Sequence, residues 1–163
     1  MTSPSLESQI GQILAERKLT LAAAESCTGG LISHRITNVP GSSAYFLGGV
    51  VAYSYEAKEH ALGVHHNTLY DHGAVSKETA IEMARGARRV FSADIAVAVT
   101  GIAGPGGGLP NKPVGLTWIA LSAREGETAR QFVWNKDREG NKADSAEAAL
   151  GMVMDYLAKA APP

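Results

Sequence analysis

Apolar positions along the chain alternate between helical and strand-like spacing. Leu6, Ile10, Ile13 and Leu14 recur at helical intervals, with Glu7, Gln9, Gln12 and Glu16 on the opposite face, which predicts a first amphipathic helix. The run LTLAAAES from Leu19 is short and apolar and reads as a buried strand. TGGLISHRITNV then reads as a helix that stops before Pro40. After a turn at Gly41-Ser42-Ser43, YFLGGVVAYS gives a second strand, and YEAKEHALGV a helix ended by Gly63.

HHNTLYDHGAV reads as a polar loop, and Ser76 as the N-cap of a helix over KETAIEMARGARRVF with Ile81, Ala84, Ala87 and Phe91 facing inward. DIAVAVTGI is the clearest strand, an apolar run bounded by turn signals. The segment AGPGGGLPNKP is too rich in Gly and Pro for regular structure. VGLTWIALSA and TARQFVWN flank Arg124-Glu125-Gly126-Glu127 as a hairpin, and a last amphipathic helix runs from Lys142 through Ala146, Ala149, Leu150, Val153, Met154 and Leu157. Strands alternating with helices predict an α/β fold, a three-layer α/β/α arrangement whose hairpin makes the central sheet mixed but mostly parallel.

Composition adds limits to this picture. The 163 residues suit a single domain over 1–163, and 45% hydrophobic with 19% charged residues is globular composition. A net charge of −1 with both signs dispersed gives no basic footprint for nucleic acid or anionic membrane. One cysteine fits a reducing compartment. Met1 to Ser5 has no secretory pattern and no apolar run is long enough to span a bilayer, so a soluble, cytoplasmic protein is expected.

Candidate chemistry collects where ligands bind in open α/β sheets, beyond the carboxyl ends of the strands. The first strand end carries Glu25, Ser26, Cys27 and Thr28, the second Tyr53, Ser54 and Lys58, and the third Thr100 with the glycine loop behind it. Ser26 at a strand-to-helix turn sits among unpaired backbone N–H groups that can hold an oxyanion, but its hydroxyl needs a base. His34, His60, His65, His66 and His72 all fall in helices or the polar loop, whereas Lys58 lies one helical turn past the second strand. A buried lysine can be neutral and accept a proton, with Tyr53 relaying protons or orienting the groups.

Each of these residues also has an ordinary structural role. Ser26 or Thr28 can cap a helix, Lys58 can be a solvated charge, Tyr53 a lid on the core, and Cys27 a small buried hydrophobe or the reacting group itself. The glycine loop fits neither the dinucleotide nor the Walker spacing, so phosphate cradle and flexible lid both stay open. Arg138 can bind an anion or lie on the surface. The adjacent pair His65-His66 has no carboxylate cluster beside it, and no metal site is expected.

The motifs AAESCTGGLIS, YS followed by EAK, GAVS before a helix, and TGIAGPGGG…KPVGLTWIAL together resemble the CinA C-terminal domain family, from about Leu6 to Leu157. Stand-alone members of that family are nicotinamide mononucleotide deamidases. The resemblance implies hydrolysis of the nucleotide's carboxamide to nicotinate mononucleotide and ammonia in pyridine-nucleotide salvage, without metal or cofactor. It implies Ser26 as nucleophile, Lys58 as general base and Tyr53 assisting proton transfer. Thr28, Gly29, Gly30, Thr100, Gly101, Gly104 and Arg138 are the expected substrate contacts, and a homodimer the expected assembly. A non-catalytic nucleotide-binding module and an amidase of another small carboxamide are the alternatives. Two positions depart from the family pattern: Tyr55 stands where Asn is usual, and Lys142 or a shifted equivalent where a second arginine is usual. Some relatives carry a molybdopterin-protein-like N-terminal domain that this sequence lacks, so activity belonging to that domain is not expected.

Overall fold

A computed structural model describes residues 2–160. Strands β1 (Leu21–Glu25), β2 (Phe46–Val51), β3 (Ile95–Gly101), β4 (Leu116–Ala123) and β5 (Gly126–Val133) form one sheet in the order β2-β1-β3-β4-β5. β1 runs parallel to both β2 and β3, while β4 is antiparallel to β3 and to β5. β4 alone therefore points the other way, and the sheet is mixed as the hairpin requires.

Helices cover both faces, and the period of two along each strand decides what meets them. Leu21, Ala23, Val97 and Val99 join the core shared with α1 (Leu6–Arg17), α2 (Leu31–Thr37) and α6 (Arg138–Lys159). Ala22, Ala24, Ala96 and Ala98 join the core of the other face, under α3 (Tyr55–Leu62), α4 (His66–His72) and α5 (Lys77–Phe91). Every residue of β1 is buried, the expected state of a parallel strand covered on both sides.

Two elements differ from the sequence expectations. The polar stretch after Gly63 contains helix α4, anchored by buried Leu69, with His65 bonded to Glu82 and His66 to Glu59. One apolar anchor in seven residues leaves no amphipathic period to detect. The last helix begins at Arg138 instead of Lys142, because the Asp137 side chain caps it by accepting from Gly140 N–H. Among the described residues no helix is long and apolar enough to cross a membrane.

Candidate active site

β1 feeds α2 and then β2 on one side of itself, while β3 lies on its other side, so the crevice beyond Glu25 is a topological switch point. The ladder continues one residue past the strand. Ser26 N–H donates to Val99 O at 3.0 Å, and Ala52 N–H donates to Glu25 O at 2.9 Å. Ser26 thus stands between the ends of β2 and β3. Even-numbered positions of β1 face α3, and Ser26 inherits that side.

Helix α3 starts almost at once after β2, capped by the Ser54 hydroxyl, which accepts from Ala57 N–H at 3.0 Å. That early start places Lys58 one turn in, beneath the strand ends. Its Nζ lies 3.0 Å from Ser26 Oγ, 2.9 Å from Ala52 O and 3.4 Å from Tyr53 O. Lys58 is 1% exposed, and no carboxylate pairs with it among the described residues. Burial lowers its pKa to about 8, against a small opposing effect of Cys27. Nζ donates to the two carbonyls and meets the Ser26 hydroxyl, which can accept from the ammonium or donate to the lone pair of the neutral amine. Cys27 beside it is buried, and desolvation pushes its thiol up to about 12. Protonated and without a base of its own, that thiol is the weaker nucleophile.

Glu25 faces the opposite side of β1, is 0% exposed, and caps α2. Its carboxylate accepts from Thr28 Oγ1 (2.7 Å), Ile32 N (2.8 Å), Ser33 N (3.0 Å) and Ser33 Oγ (2.8 Å). The helix start is therefore capped by the glutamate, which leaves the Ser26 hydroxyl to Lys58. Gly29 (φ +61°) and Gly30 (φ +103°) turn the chain through the left-handed region that glycine tolerates. Gly29 N–H donates to Ser26 O. The amides of Cys27, Thr28 and Gly30 have no oxygen acceptor among the described residues.

The mouth of the cleft is held from α6. Arg138 Nη1 donates to Gly104 O (2.7 Å) and Nη2 to Tyr53 Oη (2.9 Å). Buried Asn141 donates to Ala103 O at 3.0 Å and accepts from Lys136 N at 3.0 Å. Thr100 Oγ1 donates to Ala74 O at 2.7 Å, joining the end of β3 to the segment before α5. Half-buried Lys142, one turn along α6 from Arg138, forms no ion pair among the described residues. Its Nζ would lie 3.7 Å from a Cβ placed on Gly29.

Ser26, Tyr53, Lys58, Thr100, Gly101, Gly104 and Arg138 all line one cleft of about 270 Å³. Thr28, Gly29 and Gly30, expected as substrate contacts, are absent from its lining, because Thr28 turns its hydroxyl to Glu25 and the two glycines form the arch behind. Tyr53 is 61% exposed, and its hydroxyl meets Arg138 instead of Ser26 or Lys58. None of the five histidines lines the cleft. The capping role of Glu25 and the bridging role of Asn141 lie outside the sequence expectations. Glu25 is signalled by a charged residue inside an otherwise apolar strand, and Asn141 by a polar residue on the inward stripe of α6. A larger groove of about 670 Å³ between β5 and the end of α6 contains none of these residues.

Residues 3–157 match the model of the CinA C-terminal domain. A CinA-like protein of Chloroherpeton thalassium is 53% identical over 160 residues, covering 96% of this chain and 38% of that protein. A CinA-like protein of Thermotoga maritima is 47% identical over 152 residues, covering 93% of this chain. The chain thus spans less than two fifths of these relatives, 38% and 37% of their lengths. The crystal structure of a CinA superfamily protein from Klebsiella pneumoniae superposes with TM-score 0.91 at 34% identity, covering 94% of this chain and 96% of that one. The competence/damage inducible protein of Agrobacterium tumefaciens superposes with TM-score 0.87 at 39% identity, covering 98% and 100%.

Proposed function

The chain belongs to the CinA C-terminal domain family, and we propose that it is a cytoplasmic amidohydrolase converting nicotinamide mononucleotide to nicotinate mononucleotide and ammonia by a serine–lysine mechanism. The observation that carries this reading is the buried Lys58 amine 3.0 Å from the Ser26 hydroxyl, with no carboxylate paired to it among the described residues.

In the proposed reaction the neutral Lys58 amine takes the Ser26 proton as Oγ attacks the carboxamide carbon. The Cys27 amide, which has no oxygen acceptor among the described residues and belongs to a residue lining the cleft, is the proposed donor to the negative charge that develops on the carbonyl oxygen. The C–N bond then breaks, and Lys58 passes its proton to the departing nitrogen, which leaves as ammonia. Water attacks the Ser26 ester, gives a proton to Lys58, and the serine leaves with that proton. Lys58 performs both transfers. Tyr53, held by Arg138, orients the mouth and takes no proton. The substrate phosphate falls to Arg138 and Lys142 in the first turns of α6. There Lys142 forms no ion pair among the described residues, while Arg138 already spends two N–H groups on protein oxygens.

Ammonia release from nicotinamide mononucleotide is the test. Wild type is expected to turn over. Ser26→Ala and Lys58→Ala should each lose about a thousandfold or more in kcat while keeping the folded circular-dichroism spectrum. Nucleotide binding without ammonia would make the protein a binding module instead. Retained turnover in Ser26→Ala would move the attack to Cys27 or to water.

A further inference from the structure

Tyr55 stands where the family pattern led to an expectation of Asn, and the structure gives it a place in the cleft. It is the first residue of α3, directly after the Ser54 cap, and its ring is fixed on two sides. Its hydroxyl accepts from Ala74 N–H at 3.3 Å. Its ring meets Tyr70 edge to face, centroids 5.4 Å apart at 71°. Tyr70 in turn stacks on His66 at 4.3 Å and 30°, and the His66 ring bonds Glu59 at 2.8 Å. Ala74, which Tyr55 holds, is the residue whose carbonyl receives the Thr100 hydroxyl. Tyr55, Ala74 and Val75 thus form a braced wall of the cleft that Ser26 and Lys58 also line.

Taking its substrate class from the amide hydrolysis proposed above, we infer that Tyr55 is a specificity-determining residue that selects carboxamides carried on a planar aromatic ring over those on flexible acyclic chains. A fixed aromatic ring offers a flat apolar surface with little conformational entropy to lose, and planar rings gain from it by stacking or edge contact. An asparagine at this position would leave the wall shorter and polar. The cleft is small, about 270 Å³, so a ring bound in it comes close to the lining side chains.

Binding separates this inference from the proposed reaction. Benzamide, a planar carboxamide, and isobutyramide, an acyclic one, are compared by ligand-observed NMR titration against wild type, Tyr55→Phe, Tyr55→Leu and Tyr55→Asn. Wild type and Tyr55→Phe are expected to prefer benzamide. Tyr55→Leu and Tyr55→Asn should lose that preference by roughly three- to tenfold, with isobutyramide binding little changed. Thermal melting of each variant identifies any that fails to fold, and Tyr70→Ala, which removes the brace without touching the cleft lining, then serves as the second variant and should weaken the same preference. Equal preference in wild type and folded Tyr55→Leu would overturn the inference, as would no preference in wild type. Ring preference in a protein that releases no ammonia would leave Tyr55 as a ring selector and defeat the proposed reaction alone.

Discussion

The Arg138 guanidinium donates to the Tyr53 hydroxyl at 2.9 Å, and its other terminal nitrogen donates to Gly104 O at 2.7 Å. Residues 85 positions apart are joined this way across the mouth of the cleft. The rigid fork of arginine can serve both acceptors at once, which an ammonium at that distance cannot.

Arg138→Lys should therefore raise KM for nicotinamide mononucleotide by about tenfold with a smaller change in kcat, since the loop and tyrosine lose their common anchor. Tyr53→Phe removes one of the two contacts and should cost less, roughly two- to fivefold. The double variant should resemble Arg138→Lys alone, because the tyrosine hydroxyl acts through the arginine. Steady-state ammonia release checks all three. A drop of hundreds-fold in kcat for Tyr53→Phe would return the tyrosine to the proton path.

Lys58 makes folding stability depend on pH in an unusual direction. Its folded pKa of about 8 lies below the ordinary 10.5. Between those values the unfolded chain holds a proton that the folded chain has released, so the stability of the folded state rises with pH across that window. Below about pH 8 the folded and the unfolded states both hold the proton, and this contribution is absent. Lys58→Met removes the titration. Urea unfolding from about pH 7 to about pH 10 should show wild type gaining on the variant by on the order of 2–3 kcal/mol. Parallel curves would mean that the amine is not held neutral.

The position of Lys58 depends on packing behind it. Gly86 of α5 lies against the Leu62 carbonyl at the end of α3, and a methyl group there would fall on that backbone. Gly86→Ala should cost about 1–3 kcal/mol and, because α3 must shift, also lower ammonia release. Gly151 of α6 has open space around it, and Gly151→Ala should add up to about 1 kcal/mol with activity unchanged. Thermal melting and turnover of the pair distinguish loss of packing at α3 from a general effect of helix substitution.

The convergence of Ser26 and Lys58 was legible because strand ends gather by topology, and the helix following a strand must begin near its end. The split within β1 came only with the structure: Glu25 and Ser26 are adjacent and point to opposite faces, one to α2 and one to α3. What was not legible depends on contacts remote in sequence. Nothing local to Tyr53 or Arg138 announces their hydrogen bond. Tyr55 read as a departure from a motif, and only its bonds to Ala74 and Tyr70 make it a wall. Helix α4 is hidden among polar residues, and at the start of α6 Gly140 and its charged neighbours hide the helical stripe.

The pH dependence of kcat/KM for ammonia release tests the serine–lysine claim most directly, because it reports the ionisation of the free enzyme's base. The rate is expected to rise with pH through a single ionisation near about 8, the value burial imposes on Lys58, and to lose that rise in Lys58→Ala together with nearly all activity. A rate that levels off by about pH 6.5, where histidine titrates, or that keeps the same profile without Lys58, would contradict the account.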